Sequence, residues 1–140
     1  LIVDAANVVG ARPDGWWKDR PAAAGRLREG LSSLRAVGVD AAALGLGGTR
    51  WFADMTMVLE GEARSLEADD GPIAVVEAAR DGDGEPVAEV SRQIAAGRAA
   101  ADVTVVTSDR ELADRVGALG ATVQGAGWLW AQVDALGESA

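Results

Sequence analysis

The chain contains no cysteine and no histidine. Without cysteine there is no disulfide framework, no zinc–thiolate site and no thiol nucleophile. Without histidine, a Ser-His-Asp triad, histidine-ligated zinc and the usual general base at neutral pH are excluded. No apolar run is long enough to span a bilayer, and the opening residues lack the basic segment of a signal peptide. A cytoplasmic protein without a membrane partner is the resulting expectation. The chain opens on Leu1 rather than Met, so a short leader ahead of it is expected as well. No Walker A or Gly-x-Gly-x-x-Gly motif follows the first apolar run, which argues against a nucleotide-binding protein. Asp4-Ala5-Ala6 also departs from the Asp-x-Asp expected of a phosphatase that forms a phospho-aspartate.

What remains for chemistry is carboxylates, hydroxyls, amides, Lys and Arg. For an enzyme, this set favours metal-assisted hydrolysis or phosphoryl transfer. Asp and Glu number 22 against 13 Lys and Arg, for a net charge of -9. Phosphate attraction dominates nucleic-acid affinity, so this balance counts against a passive RNA- or DNA-coating role. It counts less against a nuclease, whose metal ions neutralise part of an acidic cluster. The 140 residues, 49% of them apolar, fit a single domain over 1–140 with a full core.

Apolar runs and turn signals alternate along the chain. Leu1 to Ala5 reads as a buried strand that Val8 to Ala11 leaves, with a turn at Arg12 to Gly15 and a loop at Trp16 to Pro21. A helix starting near Arg20 presents Leu27, Leu31 and Leu34 on one face and ends at Gly38. Residues 39–53 give no clear pattern beyond a helical turn at Ala41 to Leu44. Met55 to Glu60 and Ile73 to Val76 read as strands, with a loop or short helix over Glu62 to Gly71 between them. Arg80 to Gly84 is a strand-to-helix turn, and Val87, Val90 and Ile94 stripe the helix that follows. Asp102 to Thr107 and Ala121 to Val123 are two more strands. Leu112, Val116 and Leu119 face inward from a helix between them, and Gly127 to Leu136 closes the chain as a helix. Near-continuous apolar strands alternating with helices predict an α/β fold, a parallel sheet covered on both faces.

Such a sheet delivers the C-terminal residues of its strands to one edge, where ligands bind. Asp4 ends the first strand and Asn7 follows three residues later. Asp109 ends a second run, Val103 to Ser108, and Glu85 with Asp83 lies at the turn before the third helix. Acids gathered at one edge are costly without a positive partner, and a divalent ion such as Mg²⁺ or Mn²⁺ is the cheapest. Each position also has a plainer role. Asp4 and Asn7 are turn formers. Ser108 or Asp109 can cap the next helix. Asp83 and Glu85 suit a positive helix start. Asp114 and the Asp69-Asp70 pair read as solvated charges. Arg110 and Ser108 can address phosphate at the helix start. In the loop Trp16-Trp17-Lys18-Asp19-Arg20, the indoles can stack on bases and the cations pair with phosphates, or the tryptophans can clamp the loop to the core. Trp128 and Trp130 read as packing residues.

Leu-Ile-Val-Asp-Ala-Ala-Asn at the start, Gly-Asp-Gly-Glu before the third helix and Val-Val-Thr-Ser-Asp-Arg-Glu-Leu together resemble NYN domains, in particular the YacP-like branch within the PIN-like ribonuclease superfamily. The resemblance extends over nearly the whole chain. Ala5 stands where a glycine is usual and Glu85 where an aspartate is. The resemblance implies a three-layer α/β/α sandwich on a sheet of about five parallel strands in order 3-2-1-4-5. It implies a metal-dependent ribonuclease in which Asp4, Glu85 or Asp83, and Asp109 bind Mg²⁺ or Mn²⁺ with Asn7 as partner. RNA would contact Trp16, Trp17, Lys18, Arg20, Arg64, Ser108 and Arg110, and a homodimer is one expected assembly. The competing expectation is a catalytically weak RNA- or protein-binding module on the same fold.

Overall fold

The computed structural model describes residues 1–11, 20–40, 50–51, 54–59, 73–77 and 85–138. Its centre is a five-stranded sheet of β1 (Ile2–Asp4), β4 (Met55–Leu59), β5 (Ile73–Glu77), β6 (Thr104–Val106) and β7 (Thr122–Gln124). Two short strands, β2 (Val39–Asp40) and β3 (Arg50–Trp51), form a separate antiparallel pair. The central strands lie side by side as β5-β4-β1-β6-β7, all in parallel. Counted alone, they follow the order 3-2-1-4-5 that the resemblance implied.

The strands are mostly apolar because both faces of the sheet are covered. Their side chains alternate between two cores, as a period of two requires. Leu1, Val3, Met55, Met57 and Val106 enter one core, while Ile2, Val58, Val103 and Val105 enter the other. The first core is closed by α1 (Ala5–Gly10), α2 (Arg20–Val37) and α5 (Ala126–Glu138). The second is closed by α3 (Glu85–Ala95) and α4 (Arg110–Ala118). The result is the expected three-layer sandwich.

The predicted α2 face is correct: Leu27, Leu31 and Leu34 are fully buried. Gly38 ends the helix with φ 92, a left-handed conformation that favours glycine. On the same helix, Gly30 lies against Val133 of α5, where a β-carbon would stand 3.2 Å from Cγ1. In α3 and α4, Val90, Leu112 and Val116 are buried as the periodicity predicted.

Three expectations need correction. Residues 8–11 do not simply leave the first strand, because the chain turns directly from Asp4 into α1. Residues 39–40 and 50–51 pair as strands, each too short to leave a periodic signal. Leu119 is 38% exposed rather than inward. It is the C-cap of α4, at the end of the helix beyond the last buried residue Val116. The turns and loops predicted over 12–19, 41–44, 62–71 and 80–84 lie outside the described residues.

Candidate active site

The sheet changes direction at β1. From there the chain builds outward through β4 and β5, then returns across β1 to place β6 and β7 on its other side. The connections leaving β1 and β6 therefore diverge, opening a crevice at the carboxyl edge where ligands of such sheets bind. In the register, Val3 is paired with Val106. One residue further on, Asp4 meets Thr107.

That meeting is a hydrogen bond. Thr107 Oγ1 donates to Asp4 Oδ2 at 3.1 Å, and accepts from the Asp109 backbone N–H, also at 3.1 Å. Thr107 is 2% exposed, so this hydroxyl is buried between the two acidic segments. Asp4 and Asp109 are both half-buried. Asp109 is the N-cap of α4, and its Oδ1 accepts from Leu112 N–H at 3.2 Å. The structural role foreseen for this residue is real and occupies one carboxylate oxygen.

Asn7 projects from α1 toward the same loop. Its Oδ1 accepts from Ser108 N–H at 2.7 Å, which ties α1 to the β6–α4 connection. Ser108 Oγ in turn accepts from Ala126 N–H at 3.0 Å, at the first residue of α5. Ser108 is otherwise exposed, as are Arg110 at the start of α4 and Asp114 further along it. Trp130 of α5 packs on the first core and donates from Nε1 to Val8 O at 2.8 Å. Trp128 packs there too, with its Nε1 buried and making no hydrogen bond among the described residues. Both tryptophans pack as the sequence predicted.

The described structure thus brings together Asp4, Asn7, Ser108 and Asp109, with Arg110 beside them. Glu85 begins α3, but its side chain lies outside the described residues, as do Asp83, Trp16, Trp17, Lys18, Arg64 and the side chain of Arg20. Among the described residues no three carboxylates gather into a metal-binding group. Thr107 is the residue that sequence reasoning passed over. Its position just after an apolar strand was visible, but its partner depends on strand register.

The described residues thus form a parallel sheet between two helical layers, with Asp4 and Asp109 at its switch point. The crystal structure of Rae1 (YacP) from Bacillus subtilis has the same fold. It matches with a TM-score of 0.68 and 18% sequence identity, over 99% of this chain and 75% of that one. No family model matches the chain, and no curated sequence does.

Proposed function

We propose that this chain is a metal-dependent ribonuclease acting from the crevice between β1 and β6. The observation that carries the reading is the Asp4–Thr107–Asp109 bridge, which brings two acids from distant parts of the chain to the switch point. The fold shared with Rae1 (YacP) and the motifs resembling NYN domains add to it.

Carboxylate oxygens are hard donors suited to Mg²⁺ or Mn²⁺. Asp4 and the second oxygen of Asp109 would hold such an ion, with Glu85 or Asp83 as the further acid. When bound, the ion supplies Lewis acidity and an activated water for attack on a phosphodiester, leaving a 3′-hydroxyl and a 5′-phosphate. Thr107 fixes the rotamer of Asp4. Asn7 holds the β6–α4 connection through its carbonyl oxygen, and its amide N–H₂ makes no hydrogen bond among the described residues, which suits it to a phosphate oxygen. Arg110, exposed at the start of α4, is suited to the RNA backbone.

A second reading has an observation of its own. Asp109 caps α4 and Asn7 holds Ser108, so both polar groups serve the fold. A module that binds RNA without cutting it would keep these bonds. Single-turnover cleavage of labelled RNA in Mn²⁺, repeated with EDTA, separates the two. The nuclease reading predicts cleavage that EDTA abolishes and that Asp109→Asn lacks. Retention of RNA without cleavage supports the binding module instead.

A further inference from the structure

Three hydrogen bonds around the candidate site close into a ring. Ser108 N–H donates to Asn7 Oδ1 at 2.7 Å, joining the β6–α4 connection to α1. Trp130 Nε1–H donates to Val8 O at 2.8 Å, joining α5 to α1 one residue from Asn7. Ala126 N–H donates to Ser108 Oγ at 3.0 Å, joining α5 back to the β6–α4 connection. The two bonds donated by α5 come from residues about one helical turn apart. Asp4 directly precedes α1, and Asp109 directly follows Ser108. Every link therefore holds a segment that carries one of the two acids.

We infer that Trp130 is a positioning residue whose indole N–H closes this ring and so sets the relative placement of Asp4 and Asp109. The inference rests on the nuclease reading for its purpose, but the ring stands on geometry alone. α1 has only six residues, too short to hold its place by its own backbone bonds. Its site-facing residue Asn7 is fixed through Ser108, and the next residue, Val8, through Trp130. Val8 O also accepts from Ala11 N–H at the longer distance of 3.3 Å, so the indole makes the closer of these two contacts among the described residues.

The chain contains its own control. Trp128 lies two residues away on the same helix and packs on the same core, but its buried Nε1 makes no hydrogen bond among the described residues. Replacing either indole by phenyl makes a similar change in size, and only Trp130→Phe removes a link of the ring. The test compares W130F and W128F in the full chain by two measurements. Amide exchange at Ser108, followed by NMR, reads the ring directly. Mn²⁺ titration reads the acids. For W130F we expect Ser108 exchange to quicken and Mn²⁺ to bind about three- to tenfold more weakly, the range for losing one hydrogen bond. W128F should match the parent in both. Ser108→Ala should weaken Mn²⁺ binding as W130F does, and Ser108→Thr, which keeps the hydroxyl, should restore it. Equal shifts in W130F and W128F, or Ser108 exchange in W130F unchanged from the parent, would overturn the inference while leaving the nuclease reading intact. A parent chain that binds no Mn²⁺ but shows the expected exchange pattern would refute the metal site and uphold the ring.

Discussion

Replacing Thr107 by Val tests the bridge between the two acids with little change of side-chain shape. The substitution removes Oγ1, and with it the bond to Asp4 Oδ2 and the acceptor for Asp109 N–H. A hydrogen bond to a charged group contributes about 1.5–3 kcal/mol, and a buried donor left unpaired costs about 1–3 kcal/mol. Asp4 is half-buried, so water recovers part of the first loss. Burial of the added methyl returns about 0.8 kcal/mol. The net cost is about 2 kcal/mol, which for a domain of this size lowers the melting midpoint by roughly 6–8 °C. Thr107→Ser keeps the hydroxyl and loses only a buried methyl, for about 1 kcal/mol. Thermal unfolding followed by circular dichroism should therefore rank the parent above T107S and T107S above T107V. A T107V midpoint equal to that of the parent would show that the hydroxyl is not the bridge described.

Other substitutions separate structural from chemical roles. Asp109→Asn retains a good N-cap for α4 and should leave the midpoint nearly unchanged while abolishing metal-dependent RNA cleavage. Asp109→Ala should in addition cost about 1 kcal/mol in chemical denaturation. Gly30→Ala sets the helix-propensity gain of alanine, about 1 kcal/mol, against a β-carbon 3.2 Å from Val133 Cγ1. It should destabilise the parent and stabilise the Val133→Ala background, a change of sign that a double-mutant cycle in urea would show. Leu31→Ala, at a fully buried position in the first core, should cost about 2–5 kcal/mol in the same assay. Added Mn²⁺ should raise the melting midpoint of the parent but not that of Asp4→Asn, because only the state with the acids in place binds the ion.

What the sequence revealed depended on how local each signal is. The face of α2 was legible because Leu27, Leu31 and Leu34 repeat within one helix. The five core strands were legible because burial makes them mostly apolar runs between turn signals. Their spatial order came from motif resemblance, since nothing in a single strand names its neighbour. The helix α1 was hidden: six residues containing Asn7, Val8 and Val9 give neither a full period nor a strong cap. Pairing of residues 39–40 with 50–51 was hidden for the same reason of length. At the site, Asp4 and Asp109 were legible as acids that end apolar runs. Thr107 was not, because its role follows from the pairing of Val3 with Val106 across the sheet. Nor were the links from α5, since Trp130 and Ala126 reach Val8 and Ser108 only through tertiary packing.

The central claim is that Asp4 and Asp109 share a divalent cation at the switch point between β1 and β6. The most direct measurement is an anomalous difference map from a crystal soaked in Mn²⁺. The account predicts a peak within coordinating distance of both carboxylates, lost in Asp4→Asn. A map with no peak there, from crystals whose soak places Mn²⁺ elsewhere on the chain, would contradict it.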